Sequence, residues 1–222
     1  MVIHTITHKH ANIYLIGEGG RFVLFDCGWQ DSFPFIKAAL RGYGVGFKQV
    51  CGVFVSHFHP DHAGSLELLH RHGVPPLILE RQMPYIAWLN EFFTQKKNDA
   101  RSCYVPIEIT AISPITPDGA RNHLSDYGID GKILYSPGHS DDSITLIAGE
   151  TAFIGDLPPY ETAENYGSSL ITECWRDITA CGVKRIYPAH GAMTEMMGKT
   201  GKNIGIRQAF NSKMRFLMTV LH

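Results

Sequence analysis

Apolar runs near the start of the chain, VIHTITH and NIYLIGEGGRFVLFDCGW, predict three strands, the last two joined by a glycine-rich hairpin turn at Gly17 to Gly20. SFPFIKAALRGYG then carries Phe35, Ile36, Ala39 and Leu40 at helical spacing and closes on Gly42 and Gly44, which predicts a helix. VCGVFVS reads as a short buried strand, AGSLELLHRHG as a helix stopped by Gly73, and PPLILE as a further strand. PYIAWLNEFFTQKK, residues 84–97, interrupts this rhythm with a helix whose face carries Tyr85, Trp88 and Phe92. The segment 84–103 is therefore expected to be an aromatic insertion, serving as a lid over a cleft or as a dimer contact. Beyond it, VPIEITAIS, KILYSPG, SITLIAG and TAFIGD read as short strands, with turns at Pro117-Asp118-Gly119 and Ile129-Asp130-Gly131. A helix from about Ala163 to Cys181, a strand KRIYPAH and a helical segment from Ile204 to Leu221 complete the pattern.

Composition narrows the classes. With 222 residues and 44% hydrophobic content, residues 1–222 are expected to form one domain around one sizeable core. Lysine and arginine number 20 against 21 aspartates and glutamates, so no net field favours nucleic acid or an anionic membrane. The expected partner is a small-molecule substrate, with a homodimer as an option. No apolar run is long enough to span a bilayer and no leader pattern opens the chain, so a cytoplasmic location is expected. Five scattered cysteines without CxxC spacing argue for reduced thiols rather than a disulfide framework.

The chemistry is concentrated in VFVSHFHPDHAGS, residues 53–65. Alternate residues of an extended segment point the same way, so His57 and His59 project together while Phe58 faces the core. Pro60 forces the chain out of the strand, and a helix beginning near Asp61 and His62 brings those two side chains to the same corner. Imidazole and carboxylate are the nitrogen and oxygen ligands of zinc and iron, and four such groups exceed the three that one ion with an open position requires. Three further strand ends carry comparable groups: His139 in YSPGHS, Asp156 in FIGD and His190 in YPAHG. Taken singly, these three residues could equally be helix caps or turn residues.

In this order, SHFHPDH, SPGHS, FIGD and PAHG resemble the metallo-β-lactamase fold superfamily over roughly residues 3–191. The resemblance implies an α+β fold, a four-layer αβ/βα sandwich of two mixed sheets flanked by helices, with a metal site at one edge. It implies that His57, His59 and His139 hold one divalent ion, that Asp61, His62 and His190 hold a second, and that Asp156 bridges them. Zinc is the expected metal, with iron and manganese accommodated by the same donors. Asp26, in FVLFDCG, would orient a ligand histidine.

Two ions imply a water lowered in pKa to a bridging hydroxide, and hydrolysis of an ester, thioester or lactone. Asp61 and Tyr160 are the candidate catalytic residues; Tyr160 would donate to a developing oxyanion, with Tyr166 as its competitor. Asp156 and the absence of a leader separate the chain from exported β-lactamases, and His59 separates it from the flavodiiron branch. Two alternatives stay open. One is a mononuclear-iron, persulfide dioxygenase-like oxidoreductase using only the first donor set; the other is a non-catalytic metal-binding module.

Overall fold

A computed structural model describes residues 1–95, 103–108, 112–160, 162 and 169–196. The expected helix from Ile204 to Leu221, residues 163–168 at the start of the helix expected from Ala163 (Tyr166 among them), and residues 96–102 of the aromatic insertion lie outside the described residues.

Strands β1 (Val2–His8), β2 (Ala11–Glu18) and β3 (Arg21–Phe25) form an antiparallel meander. Helix α1 (Phe33–Gly42) then returns the chain so that β4 (Val50–Phe54) pairs parallel to β3. The second sheet repeats this plan. β5 (Gly131–Tyr135), β6 (Ile144–Ala148) and β7 (Thr151–Gly155) are antiparallel, and β8 (Arg185–Pro188) joins parallel to β7 after α6 (Ser169–Ala180). A short strand β9 (Thr194–Glu195), absent from the sequence-based expectation, closes that edge against β8.

Period-two burial explains how the layers stack. Tyr14, Ile16, Val23 and Phe25 of the first sheet meet Ile133, Leu146 and Phe153 of the second in one shared core. Their chain neighbours Ile13, Leu15, Phe22 and Leu24 face the other way, onto Ile36, Leu40, Leu66, Leu69, Ile86 and Leu89 of the helical layer. On the far side, Ala152, Ile154 and Ile186 pack against Ile171, Trp175 and Ile178 of α6. Strands covered on both faces read as nearly continuous apolar runs, which is what made them legible. The resulting order of helices, sheet, sheet, helix is the expected four-layer sandwich.

Three expected elements differ. PPLILE is not a ladder strand: its backbone pairs with β4 only through the isolated bridge of Val53 with Pro76, and with Ile115 through Leu79. Pro75 and Pro76 lack the N–H donors that a ladder needs. VPIEITAIS forms no strand among its described residues. Pro117-Asp118-Gly119 is the first turn of a helix, α5 (Pro117–Asp126), rather than a loop turn. Thr116 caps it by accepting the Gly119 N–H at 3.0 Å, and Pro117 occupies the position where its missing donor costs nothing. On α1, Ile36 and Leu40 are buried as expected, but Phe35 is turned outward and stacks on His8.

The remaining helices are α2 (Pro60–Ala63), α3 (Leu66–Arg71) and α4 (Met83–Gln95). No helix among the described residues is long and apolar enough to cross a membrane.

Candidate metal centre

The loops that leave the C-terminal ends of β3, β4, β5, β7 and β8 carry, in turn, Asp26, His57 to His62, His139, Asp156 and His190. Each strand is pinned by apolar packing, so the polar residue just past its end is delivered to one edge of the sandwich. The structure brings all seven sequence-predicted donors together there. His57, His59 and His139 form one group, Asp61, His62 and His190 another, and His57, His62 and Asp156 a third, with one ligand atom from each member lying within 4.8 Å of the others.

Hydrogen bonds behind the rings fix which nitrogen faces the centre. His190 Nδ1 lies 2.8 Å from the carbonyl of His10, which can only accept, so Nδ1 carries the proton and Nε2 points to Asp61 at 3.2 Å and Asp156 at 3.4 Å. His62 Nδ1 donates to Asp26 Oδ2 at 3.0 Å. His57 Nδ1 meets Ser56 Oγ at 3.0 Å, and that hydroxyl donates on to Asp26 Oδ2 at 2.9 Å. Asp26 also accepts the Ser56 N–H at 2.6 Å. A single buried carboxylate thus orients two of the rings, and it adopts φ +66°, a left-handed conformation uncommon for a residue with a Cβ. The sequence pointed to Asp26; it gave no sign of Ser56, or of the His10 carbonyl, as intermediaries.

The inward atoms are what a cation would satisfy. His59 Nδ1 lies 2.9 Å from His57 Nε2 and 3.1 Å from His139 Nε2, so three imidazole nitrogens crowd one point. The buried His62 Nε2 and Asp156 Oδ1 make no well-formed hydrogen bond: Asp61 and Asp156 Oδ2 stand 3.5 Å from the first, and His190 Nε2 stands 3.4 Å from the second. Buried polar atoms left unpaired are costly, and a nitrogen and carboxylate set of this kind is the ordinary coordination chemistry of zinc or iron.

The electrostatics agree. Burial, with the neighbouring His62 and His59, holds the His57 pKa well below the usual histidine range. Burial and the adjacent His139 lower His59 likewise, leaving both rings neutral and ready to ligate. Burial opposes the charged form of His62, but the Asp26 carboxylate and hydrogen bonds to Asp156, Asp26 and Asp61 outweigh it and raise its pKa well above the usual value. Hydrogen bonds to Asp156 and Asp61 push His190 up to about 10. Burial alone would raise Asp61 and Asp156, yet hydrogen bonds from His190 and His62 hold both well below the usual carboxylate range. A cation held by Asp61, His62 and His190 would need both rings to present a free nitrogen, so acid would compete with metal there.

Around the cluster, Trp88 of α4 is 46% exposed, its ring 5.7 Å from that of His59 and stacked with Phe92 at 5.7 Å. Tyr160 packs edge-on against Trp175, with ring centroids 5.6 Å apart. It lines an apolar cavity of about 190 Å³ together with Leu157, Ile186, Met196 and His190.

The sequence model described as the metallo-beta-lactamase superfamily matches residues 6–190. Among curated proteins, the chain is similar to the probable metallo-hydrolase YflN of Bacillus subtilis (strain 168), with 29% identity over 172 residues, 67% of this chain and 63% of the relative. It is also similar to the atrochrysone carboxyl ACP thioesterase AacuM of Aspergillus aculeatus, with 27% identity over 192 residues, 84% of this chain and 52% of that protein. The chain thus spans between half and two-thirds of the length of these two relatives. Among solved structures, TTHA1623 in a di-iron-bound form superposes with a TM-score of 0.64 at 18% identity, covering 88% of this chain and 94% of that one, a likeness of fold. Because the family match takes in well over half of the sequence, this chain belongs to the metallo-beta-lactamase superfamily.

Proposed function

We propose that the protein is a binuclear metallohydrolase that cleaves a small-molecule ester, thioester or lactone. The observation that carries this reading is the pair of donor sets, His57–His59–His139 and Asp61–His62–His190, with Asp156 within 3.6 Å of His139 in one and 3.5 Å of His62 in the other. His57, His59 and His139 would hold the first ion, Asp61, His62 and His190 the second, and Asp156 would serve both. Divalent ions bound there supply a water of lowered pKa and a Lewis acid for the substrate oxygen.

The chain's own residues do the rest. Asp26 and Ser56 keep the His57 and His62 lone pairs aimed inward. Asp61, held ionised by His190 and His62, sets negative charge within the second set. Tyr160 lines the same cavity as His190, which supports a hydrogen bond from its hydroxyl to the substrate oxygen as negative charge develops. Trp88 and Phe92 offer an exposed apolar wall beside His59 for the substrate's non-reacting part. The metallo-hydrolase relative supports hydrolysis in general, and the thioesterase relative supports a thioester among the candidate substrates. The second donor set favours this reading over a mononuclear-iron oxidoreductase, which needs only the first. Zinc is the proposed metal; the donors equally suit iron or manganese.

Removing metal tests the reading. Protein stripped by a chelator is expected to lose hydrolysis across a panel of esters, thioesters and lactones by roughly 10³-fold or more, because the ions supply several kcal/mol of barrier lowering. Readdition of two equivalents of zinc restores it. Hydrolysis that survives complete metal removal contradicts the proposal.

A further inference from the structure

Asp142 lies three residues beyond His139 and belongs to neither donor set, yet it is 1% exposed. Burying a carboxylate costs several kcal/mol unless its oxygens are engaged. Both are. Oδ2 accepts the Phe58 N–H at 2.7 Å, and Oδ1 accepts the Ser140 hydroxyl at 2.7 Å. Phe58 is the residue between His57 and His59, and Ser140 is the residue after His139. One carboxylate therefore ties the backbone between two donors of the first set to the residue beside the third, across a sequence separation of 84.

The surroundings hold this tie rigid. Gln82, fully buried, donates through Nε2 to the Asp142 carbonyl at 3.2 Å and to the Val55 carbonyl at 2.9 Å, and its Oε1 accepts the Leu79 N–H at 3.2 Å. Ile144 N–H donates to the Ser56 carbonyl at 2.8 Å, a second link between the same two loops. The need for such a device follows from the donors themselves. His57 Nε2 and His139 Nε2 stand 2.9 and 3.1 Å from His59 Nδ1, so a cation held there would need all three lone pairs turned toward it at close quarters, and the scaffold must fix that spacing.

We propose that Asp142 is a positioning residue that sets the spacing of His57, His59 and His139, and that it acts through its hydrogen-bond geometry rather than its charge. The proposal rests on reading that triad as a metal site. Asp142→Ala removes both bonds. Asp142→Asn keeps them, since the amide oxygen accepts from Phe58 and the amide NH₂ donates to the Ser140 oxygen.

The test is a zinc titration of the full chain, against a competing chromophoric chelator, for the original protein and both variants. Anomalous difference maps identify which ion each variant retains, and thermal unfolding is measured without metal. The original protein is expected to bind two ions. Asp142→Ala is expected to bind the ion at the three-histidine set about 10–100-fold more weakly, the usual size of an effect exerted through a ligand's supporting bonds, with the other ion unchanged. Asp142→Asn is expected to bind both ions like the original protein. Unaltered binding by Asp142→Ala overturns the proposal. So does equal weakening of both ions, which marks a general scaffold effect, or a loss in Asp142→Asn as large as in Asp142→Ala, which marks a charge effect. If Asp142→Ala does not fold, Ser140→Ala removes the hydroxyl bond to Asp142, together with that hydroxyl's 2.9 Å contact to Ser143 Oγ, and leaves the Phe58 bond in place: weaker binding confined to the three-histidine ion supports the tie, and unchanged binding overturns it. An original protein that binds no zinc overturns the metal reading itself, and this proposal with it.

Discussion

Asp156→Ala is expected to lose metal from both donor sets and to lower kcat/KM by roughly 10³-fold or more, the scale of several kcal/mol of barrier lowering. The reason is geometric. Asp156 Oδ2 lies 3.6 Å from His139 Nε2 and 3.5 Å from His62 Nε2, while Oδ1 lies 3.4 Å from His190 Nε2. One short side chain thus reaches histidines of both sets, so its loss removes a donor from each and leaves the raised His62 and His190 with one compensating carboxylate fewer. Metal content and steady-state kinetics on the same preparation check this. A variant that keeps its metal and its turnover would show that the carboxylate serves neither set.

Gly155→Ala is expected to lower both stability and metal affinity, although Gly155 is not itself a donor and its added Cβ would come only to 3.9 Å from His57 Nδ1. Gly155 has φ +57°, a conformation that costs a residue with a Cβ about 1–2 kcal/mol. An added Cβ would also stand 2.6 Å from Ser56 Cβ and 2.8 Å from Ser56 Oγ, an overlap that costs about 1–3 kcal/mol in a packed interior. Together these give roughly 2–5 kcal/mol, or a fall in Tm of roughly 4–20 °C for a chain of this size. The displaced group is the hydroxyl that links Asp26 to His57, so zinc binding weakens along with the fold. Gly149→Ala is the control. It has the same backbone requirement at φ +54° but nothing within 4 Å of the added Cβ, and it is expected to show only the smaller, conformational cost. Equal effects at the two positions would refute the crowding argument.

The difference between these two residues also marks how far a sequence can be read. The donors were legible because strand ends announce themselves: VFVS, FIGD and YPAH each run apolar into polar, and HxHxDH compresses four of the groups into one short stretch. Strands β2, β3, β6 and β7 were legible because burial on both faces leaves little but apolar residues in them. Pro117-Asp118-Gly119 misled because the same residues suit a turn and a helix start, and only the Thr116 side chain decides between them. PPLILE misled because its apolar content suits a strand, whereas its partners are single bridges. Asp142 was hidden for another reason: GHSDDS reads as a small variant of a loop, and the amide that gives Asp142 its meaning lies 84 positions earlier. Supporting bonds of this kind are set by tertiary distance, which no local pattern encodes.

The most direct test of the central claim is crystallographic. Crystals of zinc-reconstituted protein, measured on both sides of the zinc absorption edge, are predicted to show two anomalous peaks per chain. One falls among His57, His59 and His139, the other among Asp61, His62 and His190, with Asp156 reaching both. A map without a peak in either group, collected from protein given ample zinc, would contradict the account.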